Sequence, residues 1–409
     1  MQGQTTTRAA SVLLLAFIAL VAAVVTSPTE FVFDEEYYAN YVSLLHRYGL
    51  SVEFLKALTG AAGPLYAFVH FALEPVTQLQ PIRMRLVNVV LLVVVAGILA
   101  ACLKRRGCSD YLAAGGAILA VPMTWVLAGM ALTEMPAMFF AALGLYLQLR
   151  AVEALGQGRP VLGWFIASGL SVGVAVWGRQ PYLVLAGVPV LLALLDRRLW
   201  LPAAIFVGIV MALAMPLVAA WQALVPPGDE VALGLTPRNG LASLGYIGIC
   251  FFLLAPDIGW FARKSVVAAA VLIATINAYW AIYLVYPFHT LAEGILSAPA
   301  MVVYGLLCGS LLVACGAAFF VWILQVTWQG REDLQQVAIN ASLICVALSP
   351  TLIGNYFSSR YAAMALPYLV LAAQPWRRWN WKTNLTIAAG CGIGLLSLLG
   401  YLRVVDVPD

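Results

Sequence analysis

Phe33-Asp34-Glu35-Glu36-Tyr37-Tyr38 opens residues 30–83, the one long run of this sequence that is not written as membrane core. It follows directly on the first apolar span, and three carboxylates at the mouth of a hydrophobic helix are costly neighbours for a bilayer. Such a placement asks for a use. From Tyr37 onward the apolar residues Tyr37, Tyr41, Leu44, Leu45 and Tyr48 fall at i, i+4, i+7, i+8 and i+11, which is one helical stripe with Gly49 as its stop. Asp34 then stands at the helix N-terminus, where free N–H groups and the dipole favour a negative charge. Residues 51–58 read as a second short helix ending at Gly60, and Gly63-Pro64-Leu65-Tyr66 starts a third, with Pro in an allowed first-turn position. The spacing predicts a re-entrant, interfacial cap that carries acids.

Composition says what the cap covers. Of the 409 residues, 63% are hydrophobic and 10% charged, and the mean hydropathy is +0.94, outside the range of soluble domains. A net charge of +4 is too small to suggest a nucleic-acid partner. Apolar runs near the roughly 20 residues that cross a hydrocarbon core fall at 11–28, 84–103, 111–127, 132–149, 161–176, 181–195 and 201–224. Six more follow at 241–255, 265–286, 299–326, 337–353, 361–373 and 384–402. The expected fold class is therefore an all-α polytopic membrane protein with about 13 spans, or 11–13 if short runs such as 181–195 do not cross. One integral-membrane domain is expected over residues 1–409, with no soluble C-terminal domain.

Basic residues orient the spans. With the N-terminus inside, 14 Lys and Arg fall on inner positions and 8 on outer ones, and nearly every inner loop holds a cluster, such as Lys104-Arg105-Arg106. The Asp34 loop then faces the periplasm or a lumen. None of the seven cysteines sits in an outer loop, and their spacing suggests neither a disulfide framework nor a metal site. No glycine-rich phosphate loop or nucleophile elbow is present, which argues against a nucleotide cofactor.

This orientation gathers Asp34, Glu35, Glu36, Glu134, Arg179, Gln180, His289, Glu293, Arg360 and Tyr361 on one face. Each has a plain reading as well. Arg238 and Arg403 suit headgroup anchors, His289 a satisfied loop residue, and Glu134 a helix cap held by the dipole. Three adjacent acids with two arginines at span ends are harder to set aside together.

Those residues also carry a resemblance. The 33–38 stretch resembles the Asp-Glu-x-Tyr-Tyr signature in the first outer loop of GT-C integral-membrane glycosyltransferases, such as protein O-mannosyltransferases and the aminoarabinose transferases of lipid A. Gly63-Pro64-Leu65-Tyr66 is similar to their Pro-Pro-Leu-Tyr, and Thr133-Glu134 with Phe139 to their Thr-Glu/Asp helix. Ser359-Arg360-Tyr361 with Pro367 resembles their late Arg-Tyr element, and Arg179-Gln180 the Arg-Gln of dolichol-linked glucosyltransferases. Glu36 stands where the family has a small residue, and Gly63 where it has Pro, so the sugar and the acceptor stay open.

The resemblance implies a GT-C fold and an inverting transfer of a sugar, hexosyl or pentosyl, from a polyprenyl-phosphate donor. The acceptor would be a hydroxyl on a lipid, glycan or protein at the outer face of a bacterial inner membrane. Asp34 would be the general base. Glu35 or Glu134 would orient the acceptor or a divalent ion (Mg or Mn, with Asp34, Glu35 and Glu134 as its ligands). Arg179 and Arg360 would hold the donor phosphate, with Arg83 and Lys56 next, because a guanidinium fork matches phosphate oxygens. Tyr37, Tyr38, Tyr66, Gln180, His289, Glu293 and Tyr361 would line the substrates. The alternatives are a transporter or flippase of a lipid-linked or anionic substrate, and a non-catalytic assembly subunit. The hydropathy shows no internal repeat, and the polar residues crowd one face instead of the midplane, where a transporter site belongs.

Overall fold

The computed structural model describes residues 2–226, 234–256, 292, 294–354, 357–374 and 379–403, with backbone alone for residues 2–8. Helix α1 (Gln2–Val25) delivers the chain to the cap, which is built from α2 (Glu35–Tyr48), α3 (Val52–Ala57) and α4 (Leu65–Thr77). Local chemistry sets these limits. Gly49, at φ 61°, closes α2 as its C-cap. The Ser51 hydroxyl accepts from the Phe54 N–H at 3.2 Å to start α3, and Pro64 precedes the first residue of α4. The buried face of α2 differs from the expected stripe. It is Tyr38, Tyr41, Val42 and Leu45, while Tyr37 and Tyr48 are exposed. The helix begins at Glu35, two residues ahead of Tyr37, and Glu35 itself points inward.

The chain then crosses back and forth. Helix α5 (Pro81–Arg105) buries Met84, Arg85, Asn88, Val89, Leu92, Val95 and Leu99 and turns Val90, Val93 and Val94 outward, the pattern of a helix with one protein face and one lipid face. Helices α6 (Tyr111–Gly116) and α7 (Pro122–Gly129) occupy the expected span 111–127. Their segments, 111–120 and 122–129, bend by 84° instead of running through. Pro122 has no N–H and holds Val121 extended, so the helix must break there. Thr124 Oγ1 and Trp125 Nε1 donate to the carbonyls of Ile118 and Leu119 at 2.8 Å, which satisfies backbone groups the break would strand in an apolar interior.

Helix α8 (Glu134–Gly156) runs away from the cap and α9 (Leu162–Gly178) returns to it. Ser168 and Ser171 donate to the carbonyls of Gly144 and Phe140 at 2.7 and 2.8 Å, side-chain bonds that join helices where the hydrophobic effect cannot. A 3-10 turn (Gln180–Ala186) leads to α10 (Gly187–Leu195) and α11 (Trp200–Trp221). After α12 (Pro237–Leu254) come α13 (Ala298–Gln329) and α14 (Leu334–Leu348). Helices α12 and α13 touch at Gly248, where a Cβ would lie 2.6 Å from the Cys315 backbone. Helices α15 (Ser359–Ala363) and α16 (Leu366–Ala373) replace the single span expected over 361–373, and α17 (Trp381–Tyr401) ends beside the cap, with Tyr401 edge-on to Phe33 at 5.4 Å.

The chain is an all-α polytopic membrane protein. Among the described residues, six helices are long and apolar enough to cross a bilayer, or seven with the bent pair, and shorter apolar helices accompany them. The expected span 265–286 lies outside the described residues. At the end of the bundle away from the cap, Arg105 and Arg150 pair with Glu153 at 3.3 and 3.1 Å, and Arg106 reaches Asp333 at 3.5 Å. The expected inner cluster and the acidic cap therefore occupy opposite ends. All seven cysteines are free thiols, buried or half-buried.

Candidate active site

The site begins with a clasp. Arg85 and Glu35 are both fully buried, and a guanidinium has five N–H donors. Arg85 uses them on both Glu35 oxygens (2.9 and 2.5 Å), the Ser27 hydroxyl (2.8 Å) and the carbonyls of Pro28 (2.5 Å) and Glu30 (2.8 Å). Glu35 also accepts from the backbone N–H groups of Val32 at 3.0 Å and Ala131 at 2.7 Å. The end of α1, the start of α2, the start of α5 and the turn before α8 are thus held at one point. Asn88, one turn along α5, donates to the carbonyls of Met130 and Leu132 at 2.7 and 2.9 Å and fixes the same turn.

Both ends of that clasp lead to further charged groups. Asp34 precedes Glu35 and takes the N-cap position of α2, yet its side chain caps nothing. Phe33, at φ 53°, sits in the left-handed region that non-glycine residues avoid, so the chain turns sharply into Asp34. The Asp34 carboxylate meets Arg360 Nη1 at 2.6 Å. Glu134, the first residue of α8 and three positions beyond Ala131, accepts at Oε1 from Arg360 Nε at 2.8 Å and from Arg179 Nη2. The result is a chain of alternating charge: Asp34, Arg360, Glu134, Arg179. Glu134, Arg179 and Arg360 are enclosed, with side chains 1%, 5% and 15% exposed, whereas the Asp34 side chain is 41% exposed. Burial opposes the Arg360 charge, and Glu134 foremost, then Tyr38 and Asp34, more than offset it, holding its pKa well above the usual value.

Several polar atoms here have no partner among the described residues. They are Arg360 Nη2, Arg179 Nε, Glu134 Oε2, Thr133 Oγ1 and Gln180 Nε2. Buried polar atoms ordinarily find partners, so a group of them around one carboxylate marks a place built to meet something polar. Beside them a cavity of about 190 Å³ is lined by Arg179, Gln180 and Tyr361 and by apolar residues including Leu183, Val184, Leu224 and Leu352.

The remaining candidates divide. Tyr38 lies under the Arg360 guanidinium at 5.8 Å. Tyr37 is turned to Thr59 at 2.5 Å, and Tyr66 is buried with its hydroxyl on the Ala131 carbonyl at 2.8 Å. His70 packs against Tyr66 with ring centres 4.2 Å apart and planes tilted by 50°, neither ring nitrogen has a partner among the described residues, and burial pushes its pKa down to about 4, so it is neutral near pH 7. Arg83 points to the end of α4, donating to Val76 and Gln78 at 3.1 and 3.0 Å, and Lys56 is exposed on α3. Neither is joined to the Asp34–Arg179 chain by a bond among the described residues. His289 and Glu293 lie outside the described residues. The cap is seated by the Gly63 N–H on the Gly178 carbonyl at 3.1 Å and by Trp221 Nε1 on the Leu55 carbonyl at 2.7 Å. A Cβ at Gly63 would collide with the Trp177 carbonyl oxygen.

The donor set does not fit a divalent ion held by Asp34, Glu35 and Glu134. Both Glu35 oxygens are taken by Arg85 and two amides, and the other two carboxylates share Arg360. Among the described residues, no three His, Cys, Asp or Glu side chains come together as a metal site.

No protein-family model matches the sequence, and no curated protein does. Two crystal structures of ArnT from Cupriavidus metallidurans are similar. The apo structure is 17% identical, with 98% of this chain and 77% of that one covered and a TM-score of 0.45. The structure bound to undecaprenyl phosphate is 15% identical, with 97% and 78% covered and a TM-score of 0.43.

Proposed function

We propose that this chain is a GT-C glycosyltransferase that moves a sugar from a polyprenyl-phosphate donor to a hydroxyl acceptor. The observation that carries the reading is the chain of alternating charge Asp34, Arg360, Glu134 and Arg179, whose last member, Arg179, lines an apolar cavity. Asp34 is the accessible carboxylate of the four, the position of a general base. It would take the proton of the acceptor hydroxyl as that oxygen attacks the anomeric carbon from the side opposite the phosphate. The bond from the anomeric carbon to the phosphate oxygen breaks, the configuration inverts, and the polyprenyl phosphate leaves with added negative charge. Arg179 Nε and Arg360 Nη2, which meet no acceptor among the described residues, would receive that charge through short charge-assisted hydrogen bonds. Glu134 holds both guanidiniums in place, and Glu35, clasped by Arg85, positions Asp34 without entering the chemistry. The apolar wall of the cavity suits isoprenoid units next to the phosphate.

The cap end is proposed to face the periplasm of a bacterial inner membrane, from the 14 to 8 distribution of basic residues. Purified protein in detergent, with no compartments, should consume a polyprenyl-phosphate-linked sugar and release polyprenyl phosphate. A screen of radiolabelled donors and acceptors measures this. A protein that binds such lipids but releases no polyprenyl phosphate with any of them is a transporter or flippase instead.

A further inference from the structure

Arg360 serves two carboxylates with different security. Glu134 has Arg179 as a second cation, so it keeps a counter-charge if Arg360 shifts. Among the described residues, Arg360 is the one cation bonded to Asp34. The guanidinium lies over the Tyr38 ring at 5.8 Å, and its Nη2 has no partner among the described residues. A phosphate arriving at Nη2 meets a guanidinium whose adjacent Nη1 is committed to Asp34 at 2.6 Å. Two-pronged binding of phosphate, the geometry arginine favours, needs both nitrogens.

We infer that the donor phosphate and Asp34 compete for Arg360, so that donor binding itself releases the base. This rests on the transfer reading above. The Asp34 oxygen that accepts from Arg360 cannot at the same time receive an acceptor proton along that direction. Once phosphate draws Nη1 away, Asp34 loses a charged partner and turns to the acceptor hydroxyl. Donor binding then precedes productive acceptor binding, and deprotonation waits for the leaving group to be held. The cost of parting Arg360 from Asp34 is taken out of the affinity for phosphate, which makes the competition measurable without knowing the sugar or the acceptor.

The probe is undecaprenyl phosphate, with binding measured in nanodiscs for wild type, Asp34→Asn, Arg360→Gln and the double variant, each checked for monodispersity and thermal stability. Arg360→Met, which keeps much of the side-chain length without the charge, replaces the glutamine variant if the latter does not fold. Asp34→Asn should tighten binding about tenfold, since a neutral amide holds a guanidinium less strongly than a carboxylate does. In the Arg360→Gln background that gain should vanish, because nothing is left to compete for. Glu36→Gln, which removes a neighbouring exposed charge without touching Arg360, should change little. A gain of equal size in both backgrounds, or one matched by Glu36→Gln, is simple repulsion and overturns the competition while leaving the transfer reading intact. If wild type and every variant fail to bind undecaprenyl phosphate, the donor reading falls and the competition with it.

Discussion

Arg83 and Arg85 stand two positions apart on α5, and the sequence names Arg83, after Arg179 and Arg360, as a phosphate partner and gives Arg85 no role. Arg83 ties down the end of α4, whereas Arg85 lies at the centre of the buried clasp. A usable signal was present: Met84, Arg85, Asn88, Val89 and Leu92 repeat at helical spacing, which puts Arg85 on the inward face with Asn88. The paired carboxylate could not be read the same way, because Glu35 and Arg85 meet only in three dimensions. Removing one member of a buried ion pair leaves the other charge uncompensated, at a cost of about 3–5 kcal/mol. Glu35→Gln should therefore lower thermal stability in detergent sharply and reduce activity with it. Arg83→Ala, which loses exposed contacts only, should stay within about 0.5 kcal/mol of wild type. Equal stability losses in the two variants would mean that the clasp does not hold the cap.

At the scale of elements, the cap was the most legible part of the chain, because its limits are set by local chemistry. Gly49, Ser51 and Pro64 mark helix ends through backbone preferences that act within a few residues. The stripe on α2 was misplaced because the inward residue that begins it is a glutamate, which an apolar count passes over. Long spans such as α5 and α8 were readable from length and hydropathy: α5 (Pro81–Arg105) matches the expected 84–103 closely, and α8 (Glu134–Gly156) starts near 132 but runs on past the expected end at 149. The broken elements were not. Pro122 and Pro367 announce a weak point in a helix, but whether the chain kinks or breaks depends on side chains that take up the freed carbonyls. Here Thr124 and Trp125 do so, and the break is complete.

For the whole molecule, the gathering of polar residues at one end was legible because alternating spans carry every second connection to the same side. The acid-arginine chain joins residues 34, 134, 179 and 360, contributed by four separate segments. Which of their atoms bond to each other was hidden from the sequence, since that depends on how helices pack. Orientation is tested with a membrane-impermeant thiol reagent on intact cells in a cysteine-free background. Leu50→Cys, in the exposed cap, should label, and Ser109→Cys, exposed at the opposite end, should not. Reversed labelling would place the site on the cytoplasmic side.

The central claim is that Asp34 is the base, and its turnover number tests this most directly. Asp34→Asn keeps the size of the side chain and leaves the buried clasp untouched, so the protein should fold and still bind polyprenyl phosphate. Its rate of sugar transfer, measured with the donor that the wild type consumes, should fall by about 10²–10⁴-fold, while Glu36→Gln stays close to wild type. An Asp34→Asn protein that keeps more than about a tenth of wild-type turnover would contradict the account.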